Sequence, residues 1–326
     1  MPPMLQFLLS RLVKAVLVLG VVVILNFLLI HAAPGDPATV MAGEAGAADQ
    51  AFVDQLRTQF GLDQPLYVQL GTYVGHIVQG DLGFSFRQQR PVADLLLERL
   101  PATVVLTLSA FVLALVGGVA LGLLAALNVG KWADSAITVV ALLSYATPIY
   151  WVGLMLVLVF SVNLGWLPAF GYETIGAGYS GVEKLADIGS HMFLPVVTLG
   201  LFYMAVYTRM MRASALEVAS MDFVKTARAK GQTEWNIVTR HVLRNAILPI
   251  LTVAGIQAGQ LIGGSILVES VFAWPGLGRL TFDAVLQRDY QVLLGVFFVT
   301  SVLVIAFNIL TDLLYVLIDP RVEITT

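Results

Sequence analysis

Six stretches of the chain run for twenty or more residues without Asp, Glu, Lys or Arg: 15–35, 100–130, 135–172, 188–208, 245–268 and 290–311. A helix needs about 20 apolar residues to cross a bilayer core about 30 Å thick. Each stretch therefore holds one spanning helix, and the sixth continues past Asp312 to residue 318. The 135–172 stretch has room for two, but its second half, NLGWLPAFGY, carries Gly, Pro and Trp. Those residues suit an exit through the membrane interface better than another helix. Within the same stretch Pro148 predicts a kink. The pattern predicts an all-α integral membrane protein with six transmembrane helices.

The pieces between spans have patterns of their own. Residues 34–99 are the longest, opening on APGDPA, whose prolines stop the first helix. DQAFVDQLRTQFGL (49–62) places Phe52, Leu56, Gln59 and Phe60 at helical spacing, with Gly61 as a C-terminal cap. This predicts a small helical pair lying on the membrane. GDLGFSF (80–86) reads as a turn and a short extended piece. In 269–290 the breaker Trp274-Pro275-Gly276 precedes an amphipathic run from Leu277 to Leu286. Trp274 and Phe272 suit the headgroup level, and Glu269 suits a boundary position from which it snorkels. The domains read as 1–99, a first span with an external segment; 100–318, a five-span core with a loop at 209–244; and a tail at 319–326.

Composition agrees with a polytopic membrane protein: 58% hydrophobic, 12% charged and net charge −3, with mean hydropathy +0.85. So small a net charge implies no nucleic-acid partner. The distribution of charge sets the orientation. The 209–244 loop holds seven basic residues against Glu217, Asp222 and Glu234, whereas 36–99 carries four basic and eight acidic residues. By the positive-inside rule the basic loop and both termini face the cytoplasm. Arg11 and Lys14 before an apolar run, followed by HAAPG, imitate a secretory signal, but the run is longer than that of a cleaved signal. An uncleaved first span is expected.

Enzyme chemistry finds little support. The chain has no cysteine, and His31, His76, His191 and His241 form no i, i+4 pair, so no metal site is expected. NVGKWAD (128–134) lacks the spacing and the hydroxyl of a phosphate-binding loop, and no Gly-x-Ser-x-Gly elbow occurs. Asp312 is the lone acid deep in a span, which disfavours an intramembrane aspartyl protease.

The basic loop is the most informative segment. From Met221 to Lys230 it reads as a helix with Asp222 near its start and Lys230 at its end, complementing the helix dipole. Gly231 ends it, and a second helix starts at Thr233 with Glu234 in its first turn. Phe223, Ala227 and Lys230 fall on one side, and the small Ala227, Ala229 and Gly231 allow another surface to approach closely. A bare topology clamp touching anionic headgroups would need scattered basic residues, but no helix–Gly–helix.

EVASMDFVKTARAKGQTEWNIVTRHVLRNAILPILT (217–252) resembles the coupling loop of dipeptide/oligopeptide-type ABC importer permeases. HAAPGDPA, FGLDQPLYVQ, GDLGFSF, RPVADLLLERLPATVVLTL, LGWLPAFGY, LVESVFAWPGLGRL and DLLYVLIDPRV follow in the family's order across nearly the whole chain. The long segment after the first span resembles the B-type member of a permease pair within the binding-protein-dependent transport inner-membrane component family. The wider family's Glu-Ala-Ala-x3-Gly falls on Lys225, Thr226, Ala227 and Gly231, so an acid is replaced by lysine.

The resemblance implies a type I importer permease that hydrolyses nothing itself. ATP and Mg bind partner subunits, and this chain holds no cofactor. Implied partners are a second homologous permease, two ABC ATPase subunits, an extracytoplasmic substrate-binding protein and membrane lipid, in a bacterial cytoplasmic membrane. The loop residues Asp222, Lys225, Thr226, Ala227, Arg228, Ala229, Lys230 and Gly231 would then form the helix that docks on the ATPase. Peptides are the expected cargo, with nickel complexes, glutathione and oligosaccharides as rivals sharing these motifs.

Polar residues within spans are candidates for the path: Asn26, Gln257, Gln260, Asn308 and Asp312, the last two sharing a helix face. Interhelix hydrogen bonds would explain them equally well. An ion-gradient secondary transporter, the reading from another class, would require inverted repeats and paired intramembrane acids, and neither pattern is present.

Overall fold

A computed structural model of the chain describes residues 3–32, 37–44, 49–59 and 63–318. The expected cap at Gly61 and the 319–326 tail lie outside them. Helix α1 (Pro3–Ala32) is followed by three short helices, α2 (Pro37–Glu44), α3 (Gln50–Gln59) and α4 (Leu66–Val78). A two-residue antiparallel pair, β1 (Phe84–Ser85) with β2 (Arg90–Pro91), leads into α5 (Val92–Leu127). This small hairpin is a departure from an all-helical chain. It occupies the place where the sequence predicted a short extended piece.

Next come α6 (Trp132–Ala146) and α7 (Ile149–Leu156), the latter widening into π-helical turns over Val157–Asn163. Then follow α8 (Gly181–Ala219), α9 (Asp222–Ala229) and α10 (Glu234–Ile237), whose helical path continues through π-turns into α11 (Leu243–Val271). Helices α12 (Leu277–Gln287) and α13 (Tyr290–Ile318) complete the described chain.

Among the described residues five helices are long and apolar enough to cross a membrane, and α6 with α7 passes the same test together as a pair bent by 109°, which counts as a sixth if the two form one span. The bend has a local cause. Pro148 lacks an N–H and pushes the residue before it out of the helical region; Thr147 is extended at φ −86° and ψ 134°. The expected kink is thus a full break. Two helices reach well past their apolar stretches: α5 begins at Val92 with Asp94, Glu98 and Arg99 in its first turns, and α8 runs on to Ala219.

The described chain divides into two units, one of residues 3–101 with 279–309 and one of 102–278 with 310–318. In the second unit, α8 is the central element: Leu194, Leu199, Tyr207 and Met211 are buried in one cluster with Ile250, Ala254 and Leu261 of α11. α5 joins this cluster through glycines. A methyl group at Gly118 would meet Tyr207 Cβ at 2.6 Å, and one at Gly122 would meet Met211 Cβ at 2.6 Å. Bare backbone at this Gly-x-x-x-Gly pair lets α5 and α8 touch closely, as small residues do between membrane helices.

The same unit corrects the expected membrane anchor after α11. Trp274 and Phe272 are 0% and 1% exposed, and Glu269 is fully buried. Trp274 Nε1 donates to the Ala102 carbonyl at 2.9 Å, Thr103 Oγ1 donates to Glu269 at 2.8 Å, and the Leu277 amide donates to Thr103 Oγ1 at 2.7 Å. A side chain at Gly276 would collide with Glu269 and Thr103. The breaker is an internal joint: the carboxylate expected to snorkel is held by hydrogen bonds, and the tryptophan satisfies its N–H inside.

In the first unit, Asn26 is buried and donates to the Leu294 carbonyl at 3.3 Å, a structural helix–helix bond. Asp289 is buried at the start of α13, accepting from Ser85 and from the Val292 amide.

Candidate functional site

The α9–α10 elbow is built from the end of α8 outward. After Ala219 the chain turns, and Met221 takes an extended conformation that starts α9. Eight residues follow, with Val224 and Ala227 buried in the α8–α11 cluster and Asp222, Phe223, Lys225, Thr226, Arg228 and Ala229 exposed. Lys225 Nζ meets Asp222 at 2.9 Å, and Thr226 Oγ1 donates to the Asp222 carbonyl at 2.8 Å, so both brace the helix locally.

The helix ends on Gly231 at φ +76°, a conformation that costs a glycine little. The Gly231 amide donates to the Arg228 carbonyl at 3.0 Å and the Gln232 amide to the Ala227 carbonyl at 3.3 Å. That pair of bonds is the Schellman termination, which satisfies carbonyls the last turn would leave open. Thr233 then caps α10 by accepting from the Asn236 amide at 3.4 Å. Across the turn Arg228 forks onto Glu234, with bonds of 2.7 and 3.2 Å. The guanidinium lowers the Glu234 carboxyl below its ordinary value, and the carboxylate raises Arg228. His241 Nε2 lies 3.1 Å from Gln232 Oε1. Backbone, cap and ion pair together fix the angle between the two short helices.

The expected loop residues are all brought together, with one reassignment. Ala227 faces the chain's own interior, 5% exposed, so it is no part of an approach surface. The outward face consists of Lys225, Thr226, Ala229 and Lys230 with two large apolar side chains, Phe223 at 42% and Trp235 at 74% exposed. Trp235 was missed in the sequence, where it reads as a residue of a helix's first turn. Its signal was being the one tryptophan inside a strongly basic loop.

A second missed feature is the ion pair of Arg212 on α8 with Asp134 on α6. Nε and Nη2 reach the two carboxylate oxygens at 2.6 and 2.8 Å, and the Gly130 amide adds a bond of 3.1 Å. It ties the start of α6 to the extension of α8 that carries the elbow. The 78 residues between the partners hid it from any local pattern.

The polar path candidates other than Asn26 lie on α11 and α13. Gln257 and Gln260 lie on α11. Gln257 Oε1 is buried without a partner among the described residues, and Gln260 is exposed. Asn308 is exposed on α13, and Asp312 lies one turn further along it, its side chain outside the described residues. No group of three or more His, Cys, Asp or Glu that could hold a metal occurs among the described residues.

The described chain thus has long apolar helices and, ahead of α11, a basic elbow with exposed aromatics, and comparison with known proteins identifies the family. The family model described as the binding-protein-dependent transport system inner membrane component matches residues 118–324, and its N-terminal companion matches 4–107. The glutathione transport system permease protein of Escherichia coli K12 is 42% identical over 320 residues, covering 98% of this chain and 99% of the relative. The oligopeptide transport system permease protein of Bacillus subtilis 168 is 39% identical over 321 residues, covering 98% and 100%.

Among solved structures, the inward-facing MetNI methionine ABC transporter aligns at a TM-score of 0.54 and 18% identity, covering 69% of this chain and 96% of that one. An amino acid ABC transporter aligns at 0.50 and 18%, covering 68% and 93%. At that identity the likeness is one of fold, the type I importer permease.

The chain belongs to the binding-protein-dependent transport inner-membrane component family. It is a multi-pass permease subunit of an ABC importer, and ATP hydrolysis belongs to separate ATPase subunits.

Proposed function

We propose that this permease carries short peptides inward and is driven through the outward face of the α9–α10 elbow, seated in a groove of an ABC ATPase subunit. The supporting observation is the division of the elbow into two sides. Val224, Ala227 and Ile237 bind it to the α8 and α11 core, while Phe223, Lys225, Lys230 and Trp235 stand free of that core. A push on the outer side is therefore delivered to two spans at once. Exposed aromatics flanked by cations suit a partner surface that is apolar at its centre and acidic at its rim.

On this reading the elbow, the basic 209–244 loop and both termini face the cytoplasm, and a second, homologous permease completes the pathway. Two ATPase subunits and an extracytoplasmic binding protein form the rest of the importer. The cargo follows from the relatives, whose names specify glutathione and oligopeptides. Glutathione is itself a tripeptide, so both share amide backbones and free carboxylates.

The test is purification of the tagged permease with its partner subunits, followed by uptake of labelled di- and tripeptides and of glutathione into vesicles. Trp235→Glu is expected to lose most of the ATPase subunit while the permease pair stays intact. Full ATPase recovery with the variant would remove the elbow from the interface. Uptake of oligosaccharide or nickel complexes, with none of peptides, would overturn the cargo.

A further inference from the structure

The short helices between the first two spans offer different surfaces. On α3, Asp54 and Arg57 pair at 2.9 Å on an exposed face. α4 contains no Asp, Glu, Lys or Arg, yet none of its 13 residues is buried. Its one histidine, His76, meets Asp81 at 2.9 Å beyond the helix end.

One side of α4 is fastened to α1. His31 Nε2 lies 3.0 Å from Gln69 Oε1, and the rings of Phe27 and Tyr73 are 6.0 Å apart. Leu70, Tyr73 and Ile77 are half-buried on that side. Tyr67, Gly71, Val74 and Val78 recur at i, i+4, i+7 and i+11 and so form a second face. That face is open: Tyr67 is 77% and Val78 81% exposed. Thr72 and His76, four residues apart, fall on a separate polar side of the helix, away from that face.

What covers the apolar face follows from its neighbour. α1 is a spanning helix whose apolar run ends at Leu29, and Leu25, Leu28 and Leu29 are exposed on it. In a membrane those side chains face lipid. α4 is held by His31 and Phe27 to these same last turns, so its open face continues a lipid-facing surface at the place where the span leaves the hydrocarbon.

We propose that α4 is an interfacial helix, with the Tyr67–Gly71–Val74–Val78 face set into the boundary between headgroups and acyl chains beside the end of α1. Tyrosine is a residue of that boundary. Because α4 carries no Lys or Arg, its attachment depends on buried apolar area and needs no anionic lipid, unlike basic surface helices.

The absence of native cysteine makes the test direct. Single Val74→Cys, Val78→Cys, Thr72→Cys and Thr58→Cys variants of the full permease carry a nitroxide, in complex with its partner subunits. Each is reconstituted in pure phosphatidylcholine vesicles and in vesicles with added phosphatidylglycerol. At 74 and 78 the ratio of collisions with oxygen to collisions with a water-soluble nickel chelate is expected to be several-fold higher than at 72 and 58, and equal in both lipids. A water-like ratio at 74 and 78 overturns the proposal. So does protection from both reagents, which would mean a protein partner, or spin–spin broadening, which would mean a second copy. A requirement for phosphatidylglycerol overturns it as well.

Discussion

The span formed by α11 is bordered by a helix-breaking turn at each end, and the two turns use similar residues for opposite purposes. Before it, Gly231 ends α9 and the aromatics Phe223 and Trp235 face outward. After it, Trp274-Pro275-Gly276 breaks the chain, and Phe272 and Trp274 lie wholly inside. The later turn spends its polar groups on itself, through Glu269, Thr103 and the indole N–H. The earlier turn satisfies its backbone by capping and leaves its large side chains unused. A buried aromatic sets where a helix ends. An exposed aromatic on a braced turn is kept for something else, and here that is the motor subunit proposed above.

The largest effect that can break this comparison is at Trp274. Removing a fully buried aromatic costs about 3–5 kcal/mol, and Trp274→Ala also removes the indole hydrogen bond to the Ala102 carbonyl. The variant is expected to show a sharply lower yield of monodisperse permease and a lower unfolding midpoint in detergent. Trp235→Ala, at an exposed site, is expected to shift stability by no more than about 0.5 kcal/mol. Equal losses at the two tryptophans would erase the distinction between joint and handle.

A middle-sized effect belongs to Gly231. Its left-handed conformation costs a residue with a Cβ about 1–2 kcal/mol, while nothing lies within 4 Å of where that Cβ would sit. Gly231→Val therefore strains the backbone without a clash. Membrane insertion and the permease pair are expected to persist, with uptake per ATP hydrolysed falling in reconstituted vesicles. Unchanged coupling would mean that the angle between α9 and α10 carries no force.

These two sites also mark how far the sequence could be read. Spans were legible because charge is excluded from hydrocarbon wherever the contact partner lies, and the Gly231 stop was legible because capping is local. The direction in which Ala227 and Trp274 point was not. Each depends on contacts made far along the chain, with α8 and α11 in one case and with Ala102 in the other. In the sequence, the small size of Ala227 points to a docking surface, because small residues permit approach. In the structure its smallness serves the approach of the protein's own core. Asp134 and Arg212 escaped notice for the same reason, since a pair 78 residues apart has no spacing to recognise.

The smallest expected effect sharpens the comparison at the elbow itself. Arg228 and Glu234 bridge the turn on a surface open to water, where ion pairs contribute little and are screened by salt. Their effect should be on order within the elbow rather than on the fold. Arg228 holds the Glu234 carboxyl below its ordinary value, so the pair's contribution is complete above that ordinary value and is lost as pH falls through the depressed one. In the wild type, amide exchange between residues 222 and 237, corrected for its intrinsic pH dependence, is expected to rise as pH drops through that window at low salt. In Glu234→Gln the rise should be smaller, because the remaining local pair, Asp222 with Lys225, braces only the start of α9. A turn after α11 whose exchange followed the same pH course would contradict the division, since Trp274 and its neighbours are held by burial and by bonds that this pair does not touch.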